Sequence, residues 1–273
     1  MFKEYAKVIA EKARSEETIK DGDYIAEDGR LYCGVCNTPK ESSVIIEGVR
    51  PPCICECKKR KLIEEELERK RTAYRQDCFS SPKQYAEKFE NDQGYNPKIT
   101  AALNKYVDNF ETFKKSGIGI LMYGSFGTGK TFHANCVANA LIDKGFRVKA
   151  TQFEELYRLE QVTKNKADFF TNLSRYALVV LDDLGAEKNN SAMRSFVFTV
   201  IDTLYKSKTP FIITTNLSIE EIKYPSESDN RRIYERILER CPCPISVERP
   251  EGSIRLQRVR ETHADYKRML GLE

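Results

Sequence analysis

Residues 118–131 read Ile118-Gly119-Ile120-Leu121-Met122-Tyr123-Gly124-Ser125-Phe126-Gly127-Thr128-Gly129-Lys130-Thr131, an apolar run that breaks into a glycine-rich loop ending in lysine and threonine. The run has the length of a buried strand and the segment after Lys130 reads as a helix, so the loop sits at a strand-to-helix junction. In that context the pattern is a P-loop. Gly124, Gly127 and Gly129 allow close backbone approach, and the successive N–H groups around Ser125 and Thr128, with the helix N-terminus, favour phosphate charge. Lys130 is expected to contact the β- and γ-phosphates of ATP, and Thr131 to hold magnesium through its hydroxyl.

Working outward, short apolar runs alternate with longer helical segments. Strands are expected at residues 147–150, 176–181 and 210–214, and helices after Lys130, over most of 152–170 and around 194–205. This alternation predicts an α/β fold, a P-loop NTPase with a mostly parallel central sheet covered on both faces. Before it, Ile99, Leu103, Val107, Phe110 and Phe113 recur at helical spacing, predicting a helix packed on that domain.

Two further elements complete a nucleotide machine. The run Val179-Val180-Leu181 carries Asp182 and Asp183 to the C-terminal end of a buried strand, where open α/β sheets bind ligands. Asp182 is the expected magnesium-side carboxylate. Asp183 stands where many ATPases place a glutamate that orients or activates water, and the two acids could alternatively cap the following turn. Phe211-Ile212-Ile213-Thr214-Thr215-Asn216 is an apolar strand with a polar end, and Asn216 could hold the attacking water or report the γ-phosphate. The order of loop, acidic strand and polar-ended strand favours ATP hydrolysis over passive nucleotide storage.

The N-terminal part has another texture. Five of the nine cysteines fall in Cys33-Gly34-Val35-Cys36 and Cys53-Ile54-Cys55-Glu56-Cys57, spacings that suit a metal site in a reducing compartment better than a disulfide framework. Zinc is the expected ion, but one thiol exceeds a tetrahedral set, and spacing alone does not choose between Cys53 and Cys55 as partner to Cys57. Residues 2–20 can form a short helix, 43–46 a short strand and 58–74 a charged helix. A boundary near Ser80-Ser81-Pro82 divides a module, residues 1–79, from an ATPase domain, residues 80–273. The formal charge of +4 does not by itself indicate nucleic acid. The N-terminus lacks a secretory pattern and no apolar stretch reaches membrane-spanning length, so a soluble cytoplasmic protein with no membrane partner is expected.

With these residues in view, the chain resembles the DnaC-type helicase loaders of the AAA+ ATPases, which lie close to phage replication proteins and IstB-like transposition ATPases. The resemblance runs from Phe89 into the C-terminal region and is strongest in GSFGTGKTFHANCVANALIDKG, YALVVLDDLGAE, FIITTNLSIEEIK and RRIYERILERCPCPI. It implies Lys130 and Thr131 in Walker A, Asp182 and Asp183 in Walker B, and Asn216 as sensor I. It also implies Arg236 as an arginine finger reaching a neighbouring protomer, with Arg232 one turn earlier, and Arg255 as sensor II. Self-association across the ATP site follows from such a finger. The family further implies a hexameric replicative DNA helicase held by the N-terminal module, and single-stranded DNA as a partner. Candidate phosphate contacts are Lys58 through Lys61 and Arg255, Arg258, Arg260, Lys267 and Arg268. Alternatives are a transposition accessory ATPase, or a nucleotide-gated DNA-binding adaptor with little turnover.

Overall fold

The computed structural model describes residues 20–46, 48, 50–185, 191–226, 228–248 and 267–270. The helix expected over residues 2–20 and the position of Arg255 lie outside them. The chain divides into two compact units, residues 1–70 and 71–273.

In the first unit, β1 (Tyr24–Ile25) and β2 (Leu31–Tyr32) form an antiparallel hairpin. Its paired Tyr24 and Tyr32 rings stack at 5.8 Å. Asp23 braces the adjacent loops: its carboxylate accepts from Lys40 Nζ at 2.7 Å and from the Gly34 N–H at 3.1 Å. The strand expected at 43–46 does not form. The Ser42 hydroxyl accepts the Val44 N–H at 3.0 Å, turning the chain locally, and Val44, Ile45 and Ile46 stay exposed. Helix α1 (Glu56–Cys78) is longer than the run of charged residues suggested. Its residues from Arg71 onward belong to the second unit, where Arg75 pairs with Asp143 and Asp77 accepts from Arg147 Nε at 2.8 Å.

The second unit continues through α2 (Pro97–Asp108), α3 (Phe110–Ser116), β3 (Ile120–Tyr123), α4 (Lys130–Asp143), β4 (Val148–Gln152) and α5 (Phe153–Val162). Then follow α6 (Lys166–Leu173), β5 (Leu178–Leu184), α7 (Ser191–Lys206), β6 (Phe211–Thr215), α8 (Ile219–Lys223), α9 (Ser228–Arg240) and β7 (Ile245–Ser246). The helix expected over most of 152–170 is split because Asn165 caps a new one, its Oδ1 accepting the Ala167 and Asp168 N–H groups.

The five strands form one parallel sheet in the order β4-β5-β6-β3-β7. Period-two alternation deals their side chains to two cores. Leu178 and Val180, with Ile120, Met122 and Ile212, pack with α2 and α4 residues such as Leu103, Val137 and Leu141. Val179 and Leu181, with Leu121, Phe211 and Ile213, pack instead with Val197, Ile201 and Ile237 from α7 and α9. Every central strand is thus apolar on both faces, which explains the uninterrupted apolar runs. Among the described residues no helix is long and apolar enough to cross a membrane.

Gly119, at the entry to β3, donates its N–H to Arg240 O at 2.8 Å. A Cβ there would lie 1.9 Å from the Phe211 carbonyl oxygen. Gly119→Ala is therefore expected to pry β3 from β6 and to lower the unfolding free energy by about 3 kcal/mol. A urea midpoint equal to that of the wild type would show that the strands tolerate the spread.

Candidate functional site

The P-loop connects β3 to α4, and β7 runs alongside it. A Cβ on Gly124 would meet the Val247 carbonyl oxygen at 2.4 Å, and φ there is +138°, so the loop can leave the sheet only through glycine. Gly129, also at positive φ, begins α4. The Thr128 hydroxyl donates to Ser125 O at 3.0 Å and braces the loop internally. Lys130, only 7% exposed, donates from Nζ to Gly124 O at 2.9 Å, Ser125 O at 2.7 Å and Asn216 Oδ1 at 2.8 Å.

Strand parity delivers the acidic and polar partners. Asp182 continues the parity of Leu178 and Val180, whose side chains pack on the α4 side of the sheet. Its carboxylate accordingly meets Thr131 Oγ1 at 2.9 Å through Oδ1 and at 3.1 Å through Oδ2. Thr214 and Asn216 continue the parity of Ile212 on β6. The β5–β6 register shifts between Leu181 and Leu184, and Asp183 sits in that irregularity at φ +65°. A non-glycine residue in the left-handed region costs about 1 kcal/mol or more, and such strain concentrates at functional sites. Asp183 is held there from two sides: Asn216 Nδ2 donates to its Oδ1 at 2.8 Å, and its own N–H donates to Thr214 Oγ1 at 3.0 Å.

These groups line a cavity of about 420 Å³, within the range of small-ligand pockets. Its lining also includes Glu87, Asp92 and Tyr95 from the segment before α2. Burial raises the Glu87 carboxyl above the usual carboxylate range and the Asp182 charge adds to this, while the Asn135 amide, donating at 2.6 Å, opposes it. Asp92 accepts from Thr100, and buried His133 lies beside both, its Nδ1 2.9 Å from Gly129 O. Glu87, Asp92 and Thr214 were not among the expected site residues. A single polar letter ahead of a helix or inside an apolar strand carries no motif, although Thr214 stands within the Thr-Thr-Asn end of β6 that drew attention to Asn216. Phe126, 73% exposed, lies at the cavity rim.

Arg236, the expected finger, and Arg232 one turn earlier differ in their surroundings. Arg236 is folded onto its own chain: Nη2 pairs with Asp202 at 2.9 Å, and the guanidinium lies over the Phe198 and Tyr205 rings. Arg232 is exposed one turn earlier on α9. Arg255, Arg258 and Arg260 lie outside the described residues.

In the first unit, the thiols of Cys33, Cys36, Cys55 and Cys57 converge, all four Sγ atoms lying within 4.8 Å of one another. The Cys33–Cys57 and Cys55–Cys57 separations are 3.6 and 3.4 Å. Tetrahedral thiolate ligation of zinc spaces its sulfurs by about 3.8 Å, so the set is able to coordinate a metal. Cys53 is outside it; its Sγ is 3.3 Å from Pro39 O. Thr38, whose Oγ1 lies 3.0 Å from the Cys36 sulfur, draws that thiol down to about 6. Cys57, hydrogen-bonded to Cys55, Cys36 and Cys33, is pushed up to about 12. The Cys36 and Val35 N–H groups lower Cys33 as well, so the crowding of sulfurs falls on Cys57, and a cation would relieve it. In metal-free protein, iodoacetamide labelling of Cys36 is therefore expected to gain rate through about pH 6 and level off above it, with Cys57 unlabelled at pH 8. Equal labelling rates at pH 8, read by peptide mass spectrometry, would contradict this geometry.

Comparison with known proteins places this arrangement. The IstB-like ATP binding protein family model matches residues 61–262. The chain is 23% identical over 265 residues to the replicative helicase loader DnaI of Bacillus subtilis, covering 87% of this chain and 83% of that protein. It is 28% identical over 123 residues to an insertion sequence ATP-binding protein of Sinorhizobium fredii, covering 44% of this chain and 41% of that one. Among solved structures, the DnaC helicase loader aligns with a TM-score of 0.55 at 21% identity, covering 62% of this chain and 100% of that chain. A DnaI structure aligns at 0.52 and 22%, covering 63% and 94%. The parallel sheet, the P-loop with its acidic strand, and a family match across most of the chain agree: this chain belongs to the IstB-like ATP-binding proteins, AAA+ ATPases of the group that includes DnaA, DnaC and DnaI.

Proposed function

We propose that this ATPase delivers a hexameric replicative DNA helicase onto single-stranded DNA in the cytoplasm, with residues 1–79 as the helicase-binding module and residues 80–273 as the motor. The observation that carries the reading is the extent of the DnaI likeness. It covers 87% of this chain, more than the ATPase portion alone, and so reaches into the N-terminal module, whereas the insertion sequence protein matches only 44% of the chain. A likeness that reaches into the cysteine-bearing module favours the loader over a transposition accessory role.

In this reading Lys130 exchanges its Asn216 and loop-carbonyl partners for the β- and γ-phosphate oxygens of ATP. Asn216 and Asp183, already bonded to each other at 2.8 Å, then face the water that attacks the γ-phosphate. Thr131 and Asp182 offer a hydroxyl and a carboxylate side by side, the hard oxygen pair that suits magnesium. Magnesium, when bound, neutralises charge developing on the phosphates. Arg255 senses the γ-phosphate within its own protomer. Self-association brings an arginine of α9 to the neighbouring site, and exposed Arg232 is better placed for this than Arg236, whose guanidinium is engaged by Asp202. The exposed cations of α1, among them Arg60 and Lys61, are available to DNA phosphates.

Zinc is the ion we assign to the four converging thiols, as a brace for a unit whose described residues bury little apolar surface. Elemental analysis of anaerobically purified protein is expected to find about one zinc per chain in the wild type and in Cys53→Ser, and a clear loss in Cys55→Ser. Zinc lost equally from both variants would return Cys53 to the ligand set.

Reconstitution with the replicative helicase on circular single-stranded DNA tests the whole reading. Helicase should be retained on DNA only with this protein and ATP, Lys130→Ala should abolish retention, and Arg232→Ala should depress helicase-stimulated ATPase more than Arg236→Ala. Retention that ignores this protein, alongside capture of a transposase on target DNA, would favour the transposition role.

A further inference from the structure

Thr214 is 2% exposed and carries no role in the motifs above, yet its hydroxyl touches both acids of the site. Oγ1 donates to Asp182 Oδ1 at 2.5 Å and accepts the Asp183 N–H at 3.0 Å. A hydroxyl has one proton and two lone pairs, so the two bonds use opposite capacities of the same atom. The arrangement answers a specific need. Where the β5–β6 register slips between Leu181 and Leu184, the ladder between the strands is interrupted. The Asp183 N–H finds its acceptor in the Thr214 side chain, and Asp183 is at positive φ.

The consequence is geometric. Asp182 is fixed toward Thr131 by donors on two elements, the Thr131 hydroxyl from α4 and the Thr214 hydroxyl from β6. Asp183 is fixed toward Asn216 by one bond to its backbone and another to its side chain. Adjacent residues of a strand would otherwise point to opposite faces of the sheet. The bulge and the Thr214 clamp instead let neighbouring carboxylates serve one cavity, whose lining includes both acids and Thr214 itself.

We infer that Thr214 is a positioning residue for ATP hydrolysis, one that sets the separation and orientation of the two acids without itself meeting the reacting atoms. The inference rests on Asp182 as the magnesium-side acid and Asp183 as the water-side acid. Valine matches threonine in shape but can neither donate nor accept, whereas serine keeps the hydroxyl.

Two measurements test it. In protein without nucleotide, amide hydrogen exchange at Asp183 is expected to speed up by about tenfold or more in Thr214→Val and to remain slow in Thr214→Ser. In steady-state ATPase assays, Thr214→Val is expected to lose about a hundredfold in kcat with KM for ATP changed less than about threefold, and Thr214→Ser to recover most of the rate. If the valine protein fails to fold, Thr214→Ala serves both measurements. Unchanged Asp183 exchange, or unchanged kcat in a folded variant without the hydroxyl, would overturn the role of Thr214. Lys130→Ala and Asp182→Asn run in parallel: if both abolish hydrolysis while Thr214→Val does not, only the clamp is wrong. If neither affects hydrolysis, the assignment of the site falls and the clamp with it.

Discussion

Lys130 brings an ammonium group to a position only 7% exposed, and the site is organised around keeping that charge partnered. A buried cation without acceptors is costly, so the loop folds back to offer it the Gly124 and Ser125 carbonyls and β6 offers Asn216. Because Asn216 also holds Asp183, and Thr214 two residues earlier holds Asp182, the end of β6 serves the lysine and both acids at once. Phosphate oxygens are stronger acceptors for an ammonium than neutral carbonyls, so nucleotide has a direct chemical route into this network. A change at Lys130 is felt at Asn216 and from there at Asp183.

The strand order makes that sharing possible. β6 lies between β3, which leads into the P-loop, and β5, which carries the acids. Ile212, Thr214 and Asn216 share one parity, so the alternation that sinks Ile212 into the core with α4 also aims the polar pair at the N-terminus of that helix. Core packing and site geometry are set by the same register. A slip of one residue would turn Ile212 to the opposite core and remove both polar groups from the cavity.

The first unit is stabilised differently. Among its described residues are a two-stranded hairpin, the Asp23–Lys40 pair and a knot of four thiols, with no layered core. Exposed Val44, Ile45 and Ile46 illustrate how little apolar surface its described residues bury. A metal-able cluster is the type of cross-link that a unit of this size needs.

The parallel α/β class, the P-loop, Asp182, Asp183 and Asn216 were legible in the sequence because each follows from local rules. Uninterrupted apolar runs need a doubly covered sheet, glycine is needed where the loop passes the Val247 carbonyl, and polar residues at strand ends face the ligand side. The expected strand at 43–46 failed because a Ser42 turn outcompeted apolar composition, while the mainly helical stretch 152–170 formed as two helices, Asn165 capping the second. Choosing Cys55 over Cys53, finding Arg236 engaged by Asp202, and recognising Thr214, Glu87 and Asp92 required the tertiary structure. Those outcomes depend on which side chains distant segments bring within about 3 Å of one another, the reach of a hydrogen bond. Spacing along the chain records that a cysteine, an arginine or a threonine is present; only the folded backbone decides what stands opposite it.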